Sequence, residues 1–126
     1  MKSFLIFLAI VVGSFLWAQH WVTSGQMDNY IAKNQNVRDT PKWLDRIGEI
    51  CYIAQEPKSV VHYYAWLVKD YPEYEGIAKI RWELGKSQED IGRKDLALEQ
   101  YQVLISSYMK TEYGTLGMGR IQKLKY

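Results

Sequence analysis

Two stretches of the sequence decide the fold, IGEICYIAQEPKSVVHYYAWLVKDYP at 47–72 and LGKSQEDIGRKDLALEQYQVLISSYM at 84–109. A shift of 37 residues lays the first stretch on the second and places Gly48 on Gly85. The other matched positions are apolar or aromatic: Ile47 with Leu84, Val60 with Ala97, Tyr64 with Tyr101, Leu67 with Leu104, Val68 with Ile105, and Tyr71 with Tyr108. Because the matches fall on packing positions, they indicate an internal repeat.

Apolar residues at steps of three and four predict helices from residue 41 onward. Thr40 followed by Pro41 is a strong helix start, since Thr caps the amide groups and Pro suits the first turn. The predicted helices are 41–54, one ending before Pro72, 75–91, one marked by Ala97 to Tyr108, and 112–124. No stretch alternates in the manner of a strand, so we expect an all-α fold.

The N-terminus is a separate segment. Residues 4–18 carry no charge and follow Lys2, as in a secretory signal peptide. The alternatives are cleavage near Ala18 or Ser24, an uncleaved membrane anchor, and a misread start of a cytosolic chain. In the first two cases Lys2 keeps the N-terminus inside and the rest lies outside the cytoplasm. We therefore divide the chain into a signal or anchor (1–18), a polar linker (19–40) with a short helix near 27–33, and a helical domain (41–126).

The order of Gly, small residue, aromatic and Pro in each copy resembles the tetratricopeptide repeat, a helix–turn–helix unit. The longer period is similar to the variant of bacterial envelope proteins, such as the outer-membrane assembly lipoprotein and the Tol–Pal-associated periplasmic protein. Tyr71-Pro72 matches that variant, whereas Met109 replaces the second Pro and Tyr74 stands at a usually small position. The resemblance implies a short solenoid of two repeats and a closing helix, located in the periplasm or another extracytoplasmic space.

Few residues are candidates for chemistry. Cys51 and His62 are of the types that form a nucleophile and its base, but Cys51 lies on an apolar helix face and is expected to be a core residue. The paired carboxylates flank helix ends, where the helix dipole accounts for them. Gly114, Gly117 and Gly119 follow a helical pattern and are expected to allow close packing. We expect no catalytic residue, no metal site and no cofactor.

The chain of 126 residues has 10 Tyr and 5 Trp against 3 Phe, and its net charge is only +2. This charge excludes the basic stripe of a nucleic-acid binder. Aromatic residues that carry a polar tip often anchor partners, although packing between repeats is the favoured explanation for them. The candidate partner-binding residues are Arg46, Glu49, Tyr63, Trp66, Tyr74, Glu83, Lys86, Arg120 and Lys123. The charged members could line a polar groove formed by the first helix of each repeat, and a solvated helix face is the favoured alternative for most of them.

Two repeats are fewer than a solenoid normally needs, so an apolar face is expected to stay open unless the Met27–Lys33 segment supplies a first half-unit. A partner or a second copy would cover it. The sequence therefore predicts a non-enzymatic module that binds a protein or peptide. The alternative is a structural subunit of an envelope complex that stacks or oligomerises through its open end. Membrane contact is expected only through residues 1–22, if they are not removed.

Overall fold

The computed structural model describes residues 1–125, which contain seven α-helices and no strand. The all-α class predicted from the periodicity is therefore confirmed for these residues. The chain divides into two compact units, one ending at Thr40 and one beginning at Pro41. The helices are α1 (Lys2–Thr23), α2 (Gln26–Lys33), α3 (Thr40–Ile53), α4 (Pro57–Asp70), α5 (Ile77–Asp90), α6 (Lys94–Ser107) and α7 (Glu112–Lys125).

The N-terminal unit is more helical than its sequence suggested. α1 has 22 residues, none of which is buried, and it is long and apolar enough to cross a membrane. At 1.5 Å per residue it is about 33 Å long, and a bilayer core is about 30 Å thick. α2 buries Met27 and Ile31. The segment expected as a linker over 19–40 is thus largely helical, because α1 runs past the uncharged stretch and α2 follows after Gly25.

The second unit repeats itself in its secondary structure. α3 begins at Thr40 and α5 at Ile77, 37 residues later, and α4 and α6 are separated by the same interval. Each of these four helices has 14 residues. The predicted bounds were off by up to three residues. α4 begins earlier than its apolar stripe because Pro57 occupies the first turn, where its missing amide hydrogen costs nothing.

The turn inside each repeat has the same backbone geometry. Gln55 and Gly92, 37 positions apart, both have positive φ, at 59° and 82°. In the first copy the amide of Glu56 donates to the carbonyl of Cys51 at 2.9 Å. In the second copy the equivalent bond, from the amide of Arg93 to the carbonyl of Gln88, is 2.7 Å long. This six-to-one bond after a left-handed residue is the Schellman motif that ends many helices.

The two helices of each repeat approach closely at a glycine. A Cβ atom at Gly48 would overlap the ring of Tyr64, and one at Gly85 would lie 2.6 Å from Cε1 of Tyr101. Both tyrosines are fully buried. Close packing at the glycine is thus present in both copies, since only a residue without a side chain leaves room for the tyrosine ring.

α7 closes the unit against α6 and α5. The buried residues of α7 are Gly114 and Gly117. The equivalent residues of α5, 37 positions earlier, are Ile77 and Ile80. A Cβ atom at Gly114 would lie 2.6 Å from the backbone of Met109, so the glycine permits this approach. The packing role expected for Gly114 is confirmed. The same expectation is wrong for Gly119, because a Cβ atom added there would have no neighbouring atom within 4 Å.

Candidate functional site

The charged candidate residues form two rows that follow the repeat. Successive members of each row are 37 positions apart along the chain. The first row is Arg46, Glu83 and Arg120, and the second row is Glu49, Lys86 and Lys123. The two rows have different surroundings, so they are described separately.

The first row lies mostly at contacts between successive helix pairs. Glu83 on α5 is buried, and one of its oxygens accepts a hydrogen bond from the Tyr64 hydroxyl of α4 at 3.0 Å. Arg120 on α7 donates through Nε to Glu89 of α5 at 3.0 Å. Glu89 also accepts a hydrogen bond from the buried Tyr101 hydroxyl. Glu83 and Arg120 therefore bind preceding helices, whereas Arg46 on the first helix of the repeat unit is exposed.

The environments of the two carboxylates differ in their effect on proton binding. Burial raises the pKa of Glu83 above its ordinary range, and the hydrogen bond from Tyr64 opposes this only in part. Burial also favours protonation of Glu89, but the hydrogen bonds from Arg120 and Tyr101 outweigh it and lower the pKa. Burial, followed by the adjacent carboxylate, raises the pKa of both Tyr64 and Tyr101, so both hydroxyls remain donors.

The second row stays at the surface. Glu49 is half exposed and pairs with Lys79 of α5 at 3.4 Å. Lys86 is half-buried and Lys123 is exposed. Because these groups lie on α3, α5 and α7, they are the part of the expected charged groove that the structure leaves accessible.

The aromatic candidates are divided between the interior and the surface. Tyr63 is buried, so its ring packs inside the fold. Trp66 is half-buried, with its ring centroid 6.2 Å from that of His62. The hydroxyl of Tyr74 donates to Asp45 at 2.8 Å, and burial together with this carboxylate raises the pKa of Tyr74 to about 12. Trp66 and Tyr74 thus keep part of their surface accessible, and Tyr63 does not.

The surroundings of Cys51 and His62 do not activate either side chain. Burial and the charge of Glu56 raise the pKa of the Cys51 thiol, so the nucleophilic thiolate is disfavoured. The ring of His62 lies against aromatic neighbours, with a centroid 4.7 Å from that of Tyr63. Among residues 1–125, no group of three or more His, Cys, Asp or Glu side chains is placed to hold a metal ion.

Sequence reasoning missed two features. One is an open cleft of about 440 Å³ beside the first turn, lined by Tyr52, Gln55, Glu56, Pro57, Val60, Ser87 and Asp90. The other is a polar contact in which Arg81 donates to Gln100 at 2.9 Å. The equivalent positions in the first copy are Leu44 and Tyr63, so this polar pair could have been found by comparing the copies position by position.

A comparison of the chain with known protein families and with curated proteins found no match.

Proposed function

We propose that the chain is a non-enzymatic protein-interaction module, built as a short tetratricopeptide-like solenoid on the extracytoplasmic side of a bacterial membrane. The partner is a protein or peptide that is recognised by shape and by side-chain contacts on the first helices of the repeats. α1 serves as the export signal or as the membrane anchor. The proposal involves neither a cofactor nor a nucleic acid.

One observation carries this proposal: the second helix pair repeats the first after 37 residues. The two pairs have the same helix lengths, a turn residue with positive φ at the same position, and the same contact between a glycine and a tyrosine. Repeats of this kind bury their cores by stacking on neighbours and leave the successive first helices as a continuous surface. Glu49, Lys86 and Lys123 follow that surface at the repeat interval.

Capture of partners by in-cell crosslinking tests the binding surface. The variant Lys86→Glu with Lys123→Glu reverses two charges of the accessible row and is expected to reduce the yield of the crosslinked partner at least tenfold. The matched control, Lys69→Glu with Lys110→Glu, makes the same charge change at exposed positions outside the first helices. If both double variants retain the partner equally, the proposed groove is refuted.

The compartment needs its own test, because binding and location can fail independently. N-terminal sequencing of the mature chain identifies removal of the first helix, and alkaline extraction of membranes identifies an anchor. A full-length chain recovered from the soluble cytosolic fraction would refute the extracytoplasmic location.

A second candidate function is a stacking subunit within a larger envelope assembly. It is favoured by exposed apolar residues on α7, Leu116 and Met118, at the C-terminal end of the repeat unit. Leu116→Glu is expected to dissociate such an assembly in size-exclusion chromatography. The same change leaves a groove-bound partner in place, so the two functions predict different losses.

A further inference from the structure

We infer that the exposed face of α3 docks on an anionic lipid bilayer, the same bilayer that α1 spans. This inference rests on the anchored form of the proposed function and extends the membrane contact beyond residues 1–22. The face consists of Lys42, Trp43, Arg46, Ile50 and Ile53, all exposed. At 3.6 residues per turn these side chains lie within about 100° of the helix circumference.

The internal repeat shows that this face is unusual. Trp43 is 60% exposed, whereas its counterpart Ile80 is 1% exposed; Ile50 is 67% exposed and its counterpart Ser87 only 1%. In the second copy this face packs on preceding helices, as the bond from Tyr64 to Glu83 demonstrates. The ends of solenoids normally carry polar outer faces. Here the end face is more apolar than the buried one, so it requires a cover.

The charges on the face indicate what covers it. Lys42 and Arg46 lie among the apolar side chains, where the second copy has Lys79 and Glu83. Both carboxylates of α3 are engaged elsewhere, since Asp45 accepts a hydrogen bond from Tyr74 at 2.8 Å and Glu49 pairs with Lys79 at 3.4 Å. The face therefore combines cations with indole and aliphatic groups, which is the composition of helices that lie in the surface of anionic membranes.

A second copy of the chain suits this face less well. In a symmetric pair, the cations of one α3 would face those of the other without a carboxylate between them. α3 has 14 residues and is about 21 Å long, so its exposed face offers roughly 200 Å². Stable protein interfaces bury about 800 Å² on each partner. A bilayer does not have this limit, because α3 begins at Thr40, only 17 residues after α1 ends, and remains tethered close to the lipid.

The test uses the full chain in proteoliposomes and a fluorescent label that reports on its surroundings. Ile50→Cys, in a background that carries Cys51→Ser, places an environment-sensitive dye on the face. Gln102→Cys places the same dye on an exposed position of α6 as the control. The vesicles contain phosphatidylcholine with or without phosphatidylglycerol, and a lipid that carries a shallow nitroxide quencher.

We expect the dye at position 50 to be quenched by the lipid nitroxide in anionic vesicles and the dye at position 102 to remain unquenched. Lys42→Glu with Arg46→Glu should reduce the docked-to-undocked ratio by about fivefold for each cation removed, and added salt should reduce it as well. Ile53→Cys provides a second labelling position in case the dye at position 50 prevents docking.

Two results would overturn the inference. A blue-shifted dye that lipid does not quench would show that protein covers the face, and a dye quenched only by aqueous iodide would show that the face is solvated. Flotation of the vesicles after an alkaline wash is measured separately. A chain that fails to float refutes the anchor itself, whereas a floating chain with an unquenched dye refutes only the docking of α3.

Discussion

The contact between glycine and tyrosine in each repeat leads to a quantitative prediction about stability. Gly48→Ala and Gly85→Ala each add one methyl group at a helix crossing. At Gly48 that group would overlap three ring atoms of Tyr64, including Cζ at 2.8 Å, and at Gly85 it would lie 3.0 Å from Cζ of Tyr101. Both rings are fully buried, so a displaced ring would have to move its neighbouring side chains. The helices must therefore separate or the ring must leave its position.

The expected magnitude combines two opposing effects. Replacement of glycine by alanine inside a helix stabilises it by about 1 kcal/mol. Overpacking a well-filled core costs about 1–3 kcal/mol. Gly119→Ala in α7 shows the first effect alone, since nothing lies within 4 Å of its added methyl group. We expect Gly48→Ala to be about 1–3 kcal/mol less stable than Gly119→Ala, and Gly85→Ala to lie between them because its overlap is smaller.

The assay is urea unfolding of the full chain in mild detergent, followed by far-ultraviolet circular dichroism. For a unit of this size, 1 kcal/mol corresponds to a shift in Tm of about 4–8 °C. Tyr64→Leu removes the ring that meets the new methyl group, so Gly48→Ala should cost less in that background. If Gly48→Ala stabilises the chain as much as Gly119→Ala, the tight crossing described here does not exist.

Four further changes test the turn and the buried carboxylates. Gln55→Gly is expected to raise the free energy of unfolding by about 1 kcal/mol and Gly92→Gln to lower it similarly, because a side chain is strained at positive φ; thermal unfolding measures both. Glu83→Gln is expected to stabilise the chain at neutral pH and to have little effect in acid. The pKa of Glu83 is raised on folding, so its favourable contribution exists below the unfolded value of about 4.3 and disappears as the pH rises through the folded value. Glu89→Gln should do the reverse, destabilising at neutral pH and not in strong acid, because the pKa of Glu89 is lowered through Arg120 and its stabilisation is lost as the pH falls through the folded value. Urea midpoints measured across the pH range check both signs, and parallel pH profiles for the two variants would contradict them.

The fold could be predicted from the sequence wherever local residue chemistry determines the backbone. Thr40-Pro41 and the apolar stripes predicted the all-α class and the approximate helix bounds, and the interval of 37 residues predicted that the second helix pair repeats the first. The contact of Gly48 with Tyr64 was not predicted.

The short helix predicted near 27–33 is confirmed as α2, whereas the extension of α1 over residues 19–23 was not predicted. The uncharged run ends at Ala18, and Val22 and Thr23 near the end of α1 are β-branched residues of low helix propensity.

The candidate site was harder to predict because periodicity assigns a residue to a face but not to a neighbour. Arg46, Glu83 and Arg120 share one face and were expected to behave alike. The structure separates them, since Glu83 and Arg120 bond to preceding helices and Arg46 is exposed. Whether a position is accessible thus depends on which helices pack around it, and the helical period alone does not contain that information.

The excess of tyrosine over phenylalanine has a physical explanation in these contacts. A buried phenyl ring fills space but accepts any apolar neighbour, whereas a buried hydroxyl must find a polar partner. Tyr64 finds Glu83 on the next helix, and Tyr101 finds Glu89, which Arg120 also binds. The Tyr64 hydroxyl thus bonds to the helix that follows it, whereas the Tyr101 hydroxyl bonds back to α5 and is linked to α7 only through the pair of Glu89 with Arg120. Arg120 stands where α5 has Glu83, 37 residues earlier, and α7 still packs on the preceding helices. The buried tyrosine hydroxyls are therefore satisfied in two ways, by a carboxylate directly across the helix contact at Tyr64, or by a carboxylate that a guanidinium of the next helix holds at Tyr101.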